Sequence, residues 1–356
     1  MAARVYHIWA MGDAHVGTDL KEGRESLAEG LRTSEAGGEE GGPPFEWDLA
    51  IDVGDMSGEQ GLPQDKEGRE VVRQFKALKN HSREAVYSVC GNHDRSGLGE
   101  PSGEWWRKWI DPLGENTEFS GVEPSRRPYP ITGTWERYAF RAGNILFLMM
   151  SDINDPTQSV GRGELGGNPA GVVSGETFEW WKAMVESNPE SIIVSVHHYM
   201  LKDTTVASGE YEGLRQDPKG NWVSHYHGFK PKGAPRGASY LYFVGGKPDA
   251  QAFETYLTDH PGSVDIWLGG HTHTHPDDLC GEKSHIETKW GTHFVNAACL
   301  SRFHGHLNVP KSRLLTFTEG SPKVRVQCYM HTSEFLPQGW YDKGERVLTL
   351  SRPFRL

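Results

Sequence analysis

A chain of 356 residues is long enough for one large domain or two ordinary ones, and either can bury a sizeable core. Its hydrophobic fraction of 36%, charged fraction of 24%, 43 Gly and 21 Pro fit a soluble, somewhat polar and loop-rich globular protein. The net charge of −11 removes any global electrostatic case for binding nucleic acid or an anionic membrane.

No uninterrupted apolar stretch is long enough to span a bilayer, and no signal segment precedes the first strand-like run at Val5. Cys90, Cys280, Cys299 and Cys328 have no paired C-x-x-C spacing, which argues against a zinc ribbon or a disulfide scaffold. They read as reduced thiols in a cytoplasmic protein.

Along the chain, short apolar strands repeatedly run into clusters of Gly, Asp, His and Asn. Residues 5–11 lead to Gly12-Asp13-Ala14-His15, and 49–53 lead to Gly54-Asp55. Residues 85–90 lead to Gly91-Asn92-His93-Asp94, 192–196 to His197-His198, and 264–268 to Gly270-His271-Thr272-His273. Helices are expected over 66–79, 104–110, 176–187 and 249–259. In the second of these, Trp105, Trp106 and Trp109 sit at near-helical spacing and read as a buried face.

Two segments have the character of insertions. Residues 21–44 suggest a helix and a solvated loop, and 204–246 a possible lid. The tail from residue 313 alternates as strands over 314–318, 324–329 and 347–350. Strands alternating with helices predict an α/β fold, with polar residues gathered where strands end.

Side chains this polar at the ends of apolar runs are costly to hold together unless they bind something positive. Asp13 with His15, and His271 with His273, stand two residues apart, so in extended backbone each pair projects to one side. Asn92 offers a neutral oxygen, which limits negative charge at a site that must accept an anion. A single strand-end Asp is more often a turn or cap residue; the company of the other clusters sets Asp13 apart. His260, His285 and His293 read as surface or satisfied core histidines. His275 reads as solvent-facing, and His304-Gly305-His306 as a segment able to approach the site from the C-terminal side.

The ordered set D-x-H, G-D, G-N-H-D, strand-His and G-H-x-H, spanning Asp13 to His273, resembles the calcineurin-like metallophosphoesterase family. The resemblance implies a four-layer αββα sandwich, two central mixed sheets flanked by helices, with C-terminal β-strands. The catalytic domain would cover 1–310, and 311–356 would form a β extension packed on it. Two divalent ions (Mn, Fe or Zn) are implied. Asp13, His15, Asp55 and His273 would hold the first; the second would take Asp55 as a bridge with Asn92, His197 and His271. At the fourth motif the family often has a proline two residues after the His, whereas this chain reads His197-His198-Tyr199-Met200. His197 is preferred as ligand because it directly follows the strand, which leaves His198 a substrate-binding role.

The reaction implied is hydrolysis of a small soluble phosphate mono- or diester by a metal-bridging hydroxide, with His93 aimed at the phosphate and Asp94 orienting His93. His225, His227 and Arg236, in the 204–246 segment, are further candidates for substrate contact. A nuclease or nucleotide-type pyrophosphatase of the same fold is the nearest alternative, and a non-catalytic binding scaffold the alternative of another class. The acidic net charge disfavours a nucleic-acid partner, the lack of a visible amphipathic membrane-binding helix argues against a membrane one, and the sequence is silent on oligomeric state.

Overall fold

Two seven-stranded sheets carry most of the chain's apolar runs. The computed structural model describes residues 3–95, 104–151, 171–209, 214–216, 222–224, 240–248, 250–305 and 307–356. Its first strands are β1 (Val5–Met11), β2 (Leu49–Asp52), β3 (Val86–Ser88), β4 (Thr132–Gly133), β5 (Arg137–Ala142), β6 (Ile145–Met150), β7 (Gly171–Val173) and β8 (Ile192–Val196). There follow β9 (Leu214–Gln216), β10 (Trp222–Ser224), β11 (Leu241–Val244), β12 (Lys247–Pro248), β13 (Ile266–Gly269), β14 (Ile286–Lys289) and β15 (Thr292–Asn296). The last are β16 (Lys311–Thr318), β17 (Lys323–Met330), β18 (Gly339–Trp340) and β19 (Arg346–Thr349). The helices are α1 (Val16–Lys21), α2 (Ser26–Ala36), α3 (Asp65–Phe75), α4 (Glu104–Trp109), α5 (Thr117–Ser120), α6 (Gly175–Ser187) and α7 (Ala252–Asp259).

The first sheet runs β18-β17-β16-β1-β2-β3, with β19 also against β17; the second runs β14-β15-β13-β8-β6-β5-β4. β1, β2 and β3 are mutually parallel, as are β6, β8, β13 and β15, while the flanking strands are antiparallel. Parallel strands deliver their C-terminal ends to one edge, where the polar clusters of the sequence lie.

Alternation along each strand sorts side chains between layers. Ile8 and Ala10 of β1 and Val194 and Val196 of β8 enter the core between the sheets, with Phe147, Leu268 and Leu315. On the outer face of the first sheet, Trp9 and Met11 pack with Leu27, Leu31, Val71 and the three tryptophans of α4. On the outer face of the second, Ile193 and Trp267 pack with Trp181, Val185, Phe253 and Leu257 of α6 and α7. The result is the αββα layering that the family resemblance implies.

Two arrangements sharpen the sequence reading. The tail is built into the first sheet, with β16 antiparallel to β1 along its length, so Leu315 and Phe317 sit deep in the central core. Residues 21–44 contain α2, whose Leu27 and Leu31 are fully buried. Cys90, Cys299 and Cys328 are buried thiols. Among the described residues, no helix is long and apolar enough to cross a membrane.

Candidate metal centre

The loops that follow β1 and β2 are bound to each other through their main chains, and after β13 the Gly270 amide donates to the His198 carbonyl after β8 at 2.8 Å. The Asp13 amide donates to the Gly54 carbonyl at 2.8 Å, and the His15 amide to the Asp55 carbonyl at 3.0 Å. Asp13, His15, Asp55 and His271 all adopt left-handed backbone, with φ of 53°, 41°, 60° and 67°. Each such residue costs on the order of 1–3 kcal/mol and persists only where its surroundings over-determine it. Two glycines make the close approach possible. A Cβ on Gly91 would collide with the Asp55 carboxylate, and one on Gly270 with that of Asp13.

Asp13, His15 and His273 form the first cluster, all buried. His273 Nε2 lies 2.9 Å from Asp13 Oδ1 and 3.1 Å from His15 Nε2. His15 Nδ1 is 2.8 Å from the Ser57 carbonyl, which can only accept, so Nδ1 carries the proton and Nε2 presents a lone pair. Burial first, then the neighbouring His304 and His273, hold the His15 pKa well below 6.5, so its ring is neutral.

Asp55, His198 and His271 form the second cluster. Nε2 of His198 lies 3.2 Å from Asp55 Oδ2, 3.1 Å from Asn92 Oδ1 and 3.3 Å from His271 Nδ1. Its Nδ1 sits 2.8 Å from the Val53 carbonyl, so here too the outward nitrogen is the basic one. Asp55 Oδ1 accepts the His93 amide at 2.7 Å, while Oδ2 is 3.7 Å from His15 Nε2 and thus faces both clusters.

Lone pairs of imidazole, carboxylate and amide oxygen therefore point at one another in two adjoining places. Only a positive charge makes that arrangement favourable, and the oxygen and nitrogen donors, without thiolate, suit a divalent first-row ion. The residues present fit such ions.

Three expectations change. His197 is not in either cluster. Val196 faces the inter-sheet core, so by strand parity His197 turns to the outer face and His198 to the inner one, where the loops of the first sheet arrive. The His197 ring instead accepts the Tyr199 amide at 3.0 Å, and burial, with help from His198, pushes its pKa down to about 3. His198 accordingly takes a place among the candidate ligands and not the substrate-contact role expected of it.

Asp94 does not orient His93 through its ring. Its Oδ2 accepts the Asp55 and Gly91 amides, both at 2.9 Å, and Oδ1 accepts the Ser57 amide at 2.8 Å. This carboxylate clamps two ligand loops together. His93 Nδ1 is held by the Glu59 carbonyl at 2.6 Å, which turns Nε2 toward the neighbouring histidines.

His304 is more closely engaged than its sequence setting suggests. Its ring stacks on His15 at 3.6 Å and 9° and meets His93 edge-on at 4.4 Å. The Thr18 hydroxyl donates to the Gly58 carbonyl, so it accepts from His304 Nδ1 at 3.0 Å. Although His15, His93 and His304 bring ring nitrogens together, parallel stacking of two of the rings is unsuited to sharing one ion. His304 walls the site beside His93. No local motif marks it; only its position in the chain after the last cluster hints at the role. His225, His227 and Arg236, and also His306, lie outside the described residues.

The calcineurin-like phosphoesterase family matches residues 6–275, and the chain belongs to that family. No curated protein matches the sequence. Among solved structures, the chain is similar to a predicted phosphoesterase from Streptococcus pneumoniae TIGR4, with 11% identity and a TM-score of 0.35, covering 98% of this chain and 99% of that one. It is also similar to a single mutant of Vps29 from Entamoeba histolytica, at 11% identity and a TM-score of 0.32, with 96% of each chain covered. Vps29 from Chaetomium thermophilum shows 8% identity and a TM-score of 0.28, covering 99% of this chain and 97% of that one.

Proposed function

We propose that the protein hydrolyses a small phosphate mono- or diester at a centre of two divalent ions. Asp13, His15, Asp55 and His273 would hold one ion, and Asp55, Asn92, His198 and His271 the other. The observation that carries this reading is the Nε2 lone pair of His198, turned onto a carboxylate oxygen, an amide oxygen and another imidazole. When bound, such ions polarise a phosphoryl group and make water a competent nucleophile near neutral pH.

The chain's own residues supply the rest. Two carboxylates against two divalent ions leave about two positive charges by formal addition, which draws an anionic ester into the site. Asn92 is neutral and preserves that excess. His93, fixed through Nδ1 by the Glu59 carbonyl, can hold a proton at Nε2 for the departing oxygen. Buried thiols support a cytoplasmic setting.

Stripping the protein of metal and reloading it with Mn²⁺, Zn²⁺ or Fe²⁺ tests the reading on a chromogenic phosphomonoester and its diester. Metal-restored turnover that His93→Ala lowers about 100-fold or more is expected. Stoichiometric metal with no turnover on either ester, or on single-stranded DNA or RNA, would favour a binding scaffold.

A further inference from the structure

A separate cleft of about 290 Å³ is lined by Arg313, His285, Tyr341, Lys343 and Arg346, with Asp277 and Asp278 on its wall. It contains none of the candidate metal ligands. Arg313, on β16, is 2% exposed, and His285 is 4% exposed. The Arg313 guanidinium donates from Nε to the Asn296 carbonyl at 3.1 Å and from Nη1 to the Gly344 carbonyl at 3.3 Å. Both acceptors are uncharged, and no carboxylate of the described residues forms an ion pair with it.

Lys311, two residues earlier on the same face of β16, is 1% exposed and donates Nζ to the Thr274 carbonyl at 2.8 Å. Burial lowers its pKa, and the carboxylate that acts on it is Asp13, already engaged at the metal centre. Of the two, only Arg313 lines the cleft, and a buried guanidinium with only carbonyl partners is expensive unless an anion approaches it. Within the cleft, the Asp277 carboxylate is committed to the Tyr341 hydroxyl. Lys343 and Arg346 are exposed and add positive charge to the lining.

We propose that this cleft binds a tetrahedral oxyanion of the phosphate class, with Arg313 as its buried anchor and Lys343 and Arg346 beside it. The N–H groups of the guanidinium that the two carbonyls leave over, on Nη2 and the second hydrogen of Nη1, suit such an anion. The site adjoins the ligand loop: His285 Nε2 lies 2.7 Å from Thr274 Oγ1, and Thr274 follows His273 directly. The proposal stands whether or not the metal centre is catalytic.

Isothermal titration of the full chain with inorganic phosphate, and with methylphosphonate in a parallel arm, reads the site. The expected binding event persists in Asp13→Asn and weakens at least about tenfold in the double variant Lys343→Gln/Arg346→Gln, whose exposed positions spare the core. Arg313→Gln is expected to abolish it in protein that circular dichroism shows to be folded. Binding that vanishes in Asp13→Asn yet survives the double variant overturns the proposal, as does binding of neither titrant. Tighter phosphate assigns the free anion as occupant; tighter methylphosphonate assigns the phosphoryl group of an organic molecule.

Discussion

His198 Nε2 lies 3.2 Å from Asp55 Oδ2, and the other oxygen of that carboxylate accepts the His93 amide. One side chain thus faces both clusters while fixing the loop that carries His93. Asp55→Asn keeps the shape and removes the shared charge. It is expected to cut bound divalent metal to at most one ion per chain and turnover by about 100-fold or more. Metal analysis on the purified variant, alongside kcat, checks this.

The neighbouring histidines should behave in opposite ways. His198→Ala is expected to lose the second ion and most activity while remaining folded. His197→Ala should leave the metal count unchanged and lower stability by about 1–3 kcal/mol, because it empties buried space away from the ligands. Metal stoichiometry and urea denaturation of both variants decide the matter; the reverse pattern would restore His197 as the ligand.

Asp94→Asn tests a clamp. The carboxylate accepts three amides, and burial together with Asp55 raises its pKa well above 3.8. An amide cannot accept all three equally, so unfolding should become easier by about 1–3 kcal/mol and metal affinity should fall. The acid limb of the pH–rate profile should stay in place, since Glu59 and not Asp94 holds the His93 ring.

Asp52 at the end of β2 gives a pH signature. Burial pushes its carboxyl from 3.8 up to about 7, against the pull of the Gly54 amide at 3.1 Å. The folded state therefore holds this proton more tightly than the unfolded state. Its stabilising contribution is full below about pH 3.8 and fades as pH rises through about 7. Asp52→Asn should accordingly gain melting temperature relative to the native protein between pH 4 and pH 7, then level off. A difference that does not change with pH would contradict this.

Much of the fold was readable because β1 and β8 have the bounds that their apolar runs predict, and α6 and α7 fall close to theirs. The motif residues were readable because their spacing is local. What was hidden depends on partners distant in sequence. β8 is buried on both faces, so its apolar pattern cannot say which side faces the first sheet; the sequence favours His197, whereas the fold brings His198 to Asp55 and Asn92. Asp94 sits beside His93 in sequence, yet its partners belong to the Asp55 loop. β5 and β6 carry none of the five motifs, and β6 is apolar throughout, so nothing in the motif pattern marks them. His304 gains its place through contacts with His15, His93 and Thr18 across the closed fold.

Anomalous X-ray scattering from crystals of metal-loaded protein tests the central claim most directly. Two peaks are predicted about 3.5–4 Å apart, one on each side of Asp55 Oδ2. Asp13, His15 and His273 should surround one, and Asn92, His198 and His271 the other. A single ion, or two ions ligated elsewhere, would contradict the account.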